Sequence, residues 1–276
     1  MKALPIALAL FAALAVAQPA SAQTKAYEPQ VGQAGKDVIW VPTPDEVVER
    51  MLRMAQTTKD DLVYDLGAGD GKIAIAAAKK FGARAVGIEY NADMAKHAQS
   101  NVEKAGVAGR ARIIQGDIFA TDFTQASVVT MYLLPGLNLK LRPTILAMKP
   151  GTRVVSHSFT MDDWEADETS NMDGRRAYFW VVPANVAGSW AVDAGAEKLQ
   201  LSFEQRFQKL EGQVTLSNTM QGGLRDARLR GFAISFSYVD NNGLRRDFTG
   251  RVMGQKMEGS FRSEDGKEGR WSAAKR

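Results

Sequence analysis

The sequence predicts an α/β domain followed by a small antiparallel β domain. Three observations carry this expectation. Residues 62–72, Leu-Val-Tyr-Asp-Leu-Gly-Ala-Gly-Asp-Gly-Lys, read as a buried strand, a glycine turn and the start of a helix. Between residues 37 and 183, short apolar runs alternate with helical runs, the grammar of a parallel sheet covered on both faces. From residue 184 onward the period falls to two, as in Leu199-x-Leu201-x-Phe203 and Phe232-x-Ile234-x-Phe236-x-Tyr238. The expected architecture is a Rossmann-like sheet with helices on both faces, then a small antiparallel β-barrel or meander.

A chain of 276 residues holds one large or two modest domains. Its 45% hydrophobic and 24% charged residues are those of an ordinary globular protein. It has no cysteine, which excludes a disulfide framework, a thiolate metal site and a cysteine nucleophile. His97 and His157 are its two histidines, and no metal site is expected. Residues 174–276 hold 17 Lys and Arg against 11 Asp and Glu, so the basicity belongs to the C-terminal part. Membrane-surface contact is one reading of that charge; a solvated face of mixed charge is the favoured one.

Residues 1–22 read as a secretory signal peptide. Met1-Lys2 is a basic start, residues 3–17 are apolar apart from Pro5, and Gln18-Pro19 breaks the run. Ala20-Ser21-Ala22 is a small-x-small site, so cleavage is expected between Ala22 and Gln23. No twin arginine precedes the run, which favours the general secretion route. The run is short for a membrane span, so a retained N-terminal anchor is the less favoured alternative. The mature chain is expected in the periplasm, without a transmembrane segment.

Residues 23–36 are polar and aperiodic, and read as an extended arm. Thr43 suits a helix N-cap with Pro44 after it, and Asp45-Glu46 suit the positive helix end. Val47, Val48, Met51, Leu52 and Met54 supply that helix with an apolar face. In the glycine turn, Gly67, Gly69 and Gly71 let the backbone bend sharply and approach a ligand closely. The turn lies where open α/β sheets bind ligands, between a strand's carboxyl end and a helix's amino end. Its G-x-G-x-G spacing differs from the G-x-G-x-x-G that serves a pyrophosphate. Asp65 and Asp70 flank it, and two carboxylates suit a ligand bearing an ammonium and a sulfonium better than a pyrophosphate.

Residues 85–89 form the next strand, ending in Glu89, an acid able to accept both hydroxyls of a ribose. That feature is common to NAD and S-adenosylmethionine. Asn91 caps a helix running to Gly106, with His97 on its surface. Residues 112–115 are a strand followed by Asp117 and Ile118. Residues 126–134 are a strand, 137–148 a helix and 152–158 a strand. A hairpin turn at Met172-Asp173-Gly174 leads to a returning strand at 177–182. In the second part, Asp240-Asn241-Asn242-Gly243 and Glu264-Asp265-Gly266 are hairpin turns.

The D-x-G-x-G-x-G run resembles motif I of class I S-adenosylmethionine-dependent methyltransferases. Together with Val41-Pro42-Thr43-Pro44, Val86-Gly87-Ile88-Glu89, Val129-Thr130-Met131-Tyr132-Leu133-Leu134 and Gly151-Thr152-Arg153-Val154-Val155-Ser156-His157, it resembles a protein-lysine methyltransferase group. That group includes small archaeal enzymes and mitochondrial enzymes acting on inner-membrane proteins, and is distantly similar to the non-SET histone lysine methyltransferases. The resemblance covers roughly half the chain, residues 40 to about 183. It implies S-adenosylmethionine as cofactor and a protein lysine as acceptor. It places Pro42 and Thr43 beside the methionine part, and Asp65, Gly67, Gly69 and Gly71 around the cofactor. It gives the ribose to Glu89 and the adenine to Asp117 and Ile118. Thr130 and Tyr132, with Ser156 and His157, would border the lysine channel, where Leu133, Leu134 and Phe159 add apolar walls. The histone enzymes carry an Asn pair where this chain has Thr130-Met131, so a substrate-ordering role does not carry over simply. Residues 130–135 also lack the Asn/Asp-Pro-Pro-Tyr of amino-methylating nucleic-acid enzymes, and no nucleic-acid partner is expected.

Two other readings stay open on the sequence. The chain could be a non-catalytic envelope binding protein that uses the C-terminal barrel, since S-adenosylmethionine is made in the cytoplasm. It could also methylate a small molecule, because the acceptor pocket is the least specified part. The domain plan is a signal peptide at 1–22, an arm at 23–36, the cofactor-binding domain at 37–183 and the β domain at 184–276.

Overall fold

The first part of the chain runs α1 (Asp45–Met54), β1 (Leu62–Leu66), α2 (Lys72–Phe81), β2 (Arg84–Glu89), α3 (Ala92–Lys104), β3 (Ala111–Gln115), β4 (Val128–Met131), α4 (Pro135–Leu146) and β5 (Arg153–His157). A hairpin of β6 (Glu168–Met172) and β7 (Arg175–Val181) completes it. The computed structural model describes residues 27–195, 197–216 and 220–276, so the expected signal peptide lies outside the described residues.

These strands form one sheet in the order β3-β2-β1-β4-β5-β7-β6. The first five are parallel; β7 runs antiparallel to β5, and β6 antiparallel to β7. The strand order reverses between β1 and β4, the switch point where a crevice opens at the carboxyl ends of parallel strands. Alternation along each strand divides the core between the two faces. Val63, Val128 and Val155 pack with Val47, Met51 and Leu52 of α1 and the alanines of α2. Tyr64, Val129 and Val154 pack on the other face with Leu141 and Ile145 of α4 and with Trp164 and Trp180.

Three local expectations are corrected. β4 is four residues long, because Pro135 opens α4 earlier than the periodicity suggested. Thr43 does not cap α1; Pro44 holds that position without a side-chain bond, and the Thr43 hydroxyl is used elsewhere. The arm is not simply extended: Ala34 and Ile39 form a β-bridge that folds residues 32–40 back on themselves.

The second part is β8 (Gly188–Ala194), β9 (Glu197–Arg206), β10 (Lys209–Leu216), β11 (Met220–Gly223), β12 (Arg225–Arg230), β13 (Ala233–Val239), β14 (Arg245–Met253), β15 (Lys256–Ser263) and β16 (Glu268–Lys275). β10 pairs with both β9 and β12, which closes eight strands into an antiparallel barrel, with β11 paired to β10 outside the ring. The sequence pattern does not reveal β11 or β12. In Arg-Asp-Ala-Arg-Leu-Arg, Leu229 is the one fully buried side chain, so no alternation shows.

The barrel is filled. Phe236 stacks on Phe248 with centroids 5.0 Å apart, and Trp271 meets both rings edge-on at 5.7 Å. Gly250 makes the room: a Cβ there would lie 2.6 Å from Cζ2 of Trp271. Among the described residues the interior is thus a packed core. The barrel sits against the amino-terminal ends of the parallel strands. Gly231 packs on the backbone of Gly151 just before β5, and its carbonyl accepts a bond from Ala184 N at 2.7 Å. The glycine turn after β1 lies at the opposite end of the sheet.

Candidate active site

The β1–α2 turn is held in shape by its own glycines and by an acid from the next strand. Gly67, Gly69 and Gly71 have φ of 78°, 53° and 82°, a region that penalises any side chain. Glu89 accepts from Gly69 N at 2.9 Å through one oxygen and from Asn91 N at 2.9 Å through the other. Each oxygen keeps a further lone pair for a hydroxyl donor. The Asn91 side chain accepts from Asp93 N and Met94 N and so caps α3 as expected.

Asp65, at the end of β1, is 2% exposed. Its one side-chain donor is the Thr130 hydroxyl on neighbouring β4, at 2.7 Å. Burial pushes its pKa up to about 7, the Thr130 bond works against that rise, and the charges of Asp70 and Glu89 add to it. The nearby cations are engaged elsewhere: Lys72 with Asp45 at 3.0 Å, and Lys36 with Asp117 at 2.7 Å. Lys36, by its hydrogen bond, holds the Asp117 carboxyl below the usual carboxylate range.

These groups line one cavity of about 320 Å³. Asp65, Glu89 and Asp117 mark its polar side in strand order, β1, β2 and β3. Its other end is uncharged and lined by Thr43, Tyr132, Leu133 and Phe159. The Tyr132 ring lies on that of His157 with centroids 4.0 Å apart, and stacks with Phe159 at 6.1 Å. His157 is itself buried, with Nδ1 3.2 Å from the Thr43 hydroxyl. Burial, and secondarily the charge of Arg175, push its pKa down to about 4, so the ring is neutral at physiological pH. The folded arm roofs the cavity: a Cβ on Gly69 would lie 2.5 Å from Nε1 of Trp40.

The sequence of the first domain has close relatives. The model of the ANTKMT methyltransferase domain matches residues 65–168. A protein-lysine N-methyltransferase of Saccharolobus islandicus is 49% identical over 138 residues, spanning 49% of this chain and 86% of that protein. The chain belongs to the protein-lysine N-methyltransferase family. A mouse lysine N-methyltransferase named for ATP synthase is 34% identical, and the match spans 48% of this chain and 53% of that enzyme. A solved structure from Salinibacter ruber, titled an RNA methyltransferase in complex with S-adenosyl-L-homocysteine, is 48% identical with a TM-score of 0.52, covering 53% of this chain and 96% of that one.

The cofactor of this methyltransferase is S-adenosylmethionine, and the donor set fits it. A buried carboxylate that pairs with no cation among the described residues suits a ligand that brings positive charge, and would be unfavourable beside a pyrophosphate. Pro42, Thr43, Asp65, Gly67, Gly69, Glu89, Asp117, Ile118 and Tyr132, all singled out in the sequence, line the same cavity. Gly71, Thr130 and His157 do not. Gly71 serves packing of α2 on α3, where a Cβ would lie 3.3 Å from that of Ala98. Thr130 spends its hydroxyl on Asp65 one layer below the cavity, so its expected place on the lysine channel is corrected. His157 stands behind Tyr132, and Ser156 is buried with its hydroxyl accepting from Asn138. Lys36 and Trp40 belong to the site without having been singled out in the sequence. A tryptophan beside an otherwise polar arm was the available signal; Lys36 left none.

Proposed function

We propose that this chain methylates the ε-amino group of a lysine in a protein substrate, and that it does so after export. One observation carries the chemistry: a single cavity has carboxylates along one side and an uncharged aromatic wall at its far end. The names of the archaeal and mouse relatives support lysine as acceptor. When bound, S-adenosylmethionine supplies a methyl group on a positively charged sulfur, which departs as a neutral thioether.

The protein's own part is positioning and desolvation. Asp65, carried on a rigid buried strand and fixed by Thr130, attracts positive charge to the head of the turn. Glu89 and Asp117 offer acceptors for the ribose hydroxyls and the adenine amino group. Tyr132, Leu133 and Phe159 surround the acceptor nitrogen and exclude water. An exposed lysine has a pKa near 10.4, and burial against such walls favours the neutral amine that can attack. His157, neutral at the back of Tyr132, fixes that ring without adding a competing charge. Orientation of two reacting groups in one pocket is enough to account for a large share of the rate.

Export rests on residues 1–22, which carry the basic start, apolar run and small-x-small site of a signal peptide. Cofactor occupancy in the periplasm is then set by its local concentration relative to its dissociation constant. Calorimetric titration of the chain from Gln23 with S-adenosylmethionine and with NAD tests the site. Binding of the first alone is expected; binding of neither would sink the enzyme reading. Radiolabelled methyl transfer to envelope proteins, against RNA as the competing acceptor, then tests the substrate class.

A further inference from the structure

The outward positions of β12 to β16 make one continuous wall of the barrel, and on it Lys and Arg outnumber Asp and Glu. The register sets Arg228, Ser235, Thr249, Ser260 and Arg270 side by side in one row. The next row holds Arg230, Arg251 and Glu258. Of the wall's carboxylates, Asp226 and Asp247 are taken by Arg245, and Glu268 by Arg262. Among the described residues, Arg228, Arg251 and Arg270 have no carboxylate within salt-bridge distance, whereas Arg230 lies over the Phe179 ring of the first domain, 5.8 Å from its centroid. Arg251 is instead held 3.9 Å over the Phe232 ring, which fixes its guanidinium in place. On β8 to β10 the outward charges are mixed, as in the Lys198–Asp193 pair. The free positive charge is thus confined to one side of the barrel.

The shape of that side narrows the partner. A filled barrel presents a convex wall, a shape that suits a broad surface better than a cradled chain. The outward strand positions carry no aromatic ring, and the Phe232 ring in the β12–β13 turn is covered by Arg251, which disfavours stacking of a single-stranded nucleic acid. Between Arg228 and Arg270 stand short hydroxyl side chains, which keep the wall low and let a broad flat surface approach. Guanidinium groups match phosphate oxygens in a bidentate way. We propose that this arginine wall rests on an anionic membrane surface and binds the phosphates of its lipid headgroups. Among the described residues Met253, at the end of β14, is the one exposed large apolar side chain on this wall, so the attachment is mainly electrostatic and reversible.

Co-sedimentation of the chain from Gln23 with vesicles tests this. Vesicles containing phosphatidylglycerol should retain the protein at low salt, and vesicles of phosphatidylcholine alone should not. Each surface arginine contributes about fivefold to partitioning, so Arg228→Ala with Arg270→Ala should lower it about 25-fold. Lys198→Ala with Arg206→Ala, on the other wall, should leave it unchanged. Replacing Arg228 and Arg270 by Lys should keep most of the binding, and matching thermal melts will show that each variant is folded. Salt of about 0.5 M, with a Debye length of only a few ångström, should release the protein. Equal binding to both vesicle types, an unaffected double variant, or binding to single-stranded RNA but not to vesicles would each overturn the proposal.

Discussion

Asp65→Asn should make the protein more stable and less able to bind its cofactor, and the size of the first effect follows from burial. Asp65 titrates near 7 in the folded chain, against an ordinary value of 3.8. Its folded pKa is raised, so the folded state keeps the proton over a range where the unfolded state has lost it. The stability this proton supplies is complete below pH 4 and is lost as pH rises through about 7. The shift corresponds to about 4 kcal/mol of strain from the ionised carboxylate at pH 8. An asparagine removes that charge and still accepts the Thr130 hydroxyl, but its amide leaves a buried donor unpaired, at about 1–3 kcal/mol. The net gain at pH 8 is therefore about 1–3 kcal/mol, or roughly 3–10 °C in the melting temperature of a domain this size. At pH 5 the gain should vanish or reverse, because the wild-type carboxyl is then protonated. Adding S-adenosylmethionine should raise the melting temperature of the wild type at pH 8 and leave the variant almost unmoved. Differential scanning calorimetry at the two pH values decides it. A variant that melts below the wild type at pH 8 would refute the claim that this carboxylate is held under strain for a cationic ligand.

Other outcomes follow from the same geometry. Gly69→Ala combines a positive φ with a clash against Trp40, so calorimetry should show cofactor affinity reduced at least tenfold with the circular dichroism spectrum intact. Because His157 is neutral above about pH 4, the profile of kcat/KM for the lysine substrate, taken with saturating cofactor so that the ionisation of Asp65 does not enter, should rise through the alkaline range as the acceptor amine deprotonates, with no inflection that depends on His157. His157→Ala should lower kcat/KM through a displaced Tyr132 but keep the shape of that profile; an inflection near neutral pH that the variant loses would instead make the histidine a base. In the barrel, Trp271→Ala should cost about 3–5 kcal/mol in urea denaturation of that domain, while calorimetric affinity for the cofactor, bound at the far end of the sheet, stays unchanged.

Much of the first domain was legible because its signals are local. The glycine turn, the acid at the end of each of three strands and the Asn91 cap are each read within a few residues. What escaped depended on contacts between distant segments. Lys36 finds Asp117 across 81 residues, and Thr43 finds His157 across 114. No local pattern marks either pair, and the second one diverted Thr43 from the helix cap that its neighbours advertised. Thr130 was placed on the channel by resemblance, but its hydroxyl is bonded to Asp65 on the adjacent strand, and Tyr132, just past the end of β4, reaches the cavity instead. In the barrel the aromatic alternation of β9 and β13 was plain. β12 stayed hidden because a strand with one buried side chain reads as a charged loop.

The central claim is that a lysine side chain receives the methyl group from S-adenosylmethionine bound over the β1–α2 turn. Tandem mass spectrometry of envelope proteins incubated with cofactor and the purified chain tests it most directly. The account predicts methylated lysines in the wild-type reaction that are missing when Asp65→Ala replaces it. Methyl groups on RNA or small molecules alone, or lysine methylation that survives Asp65→Ala, would contradict it.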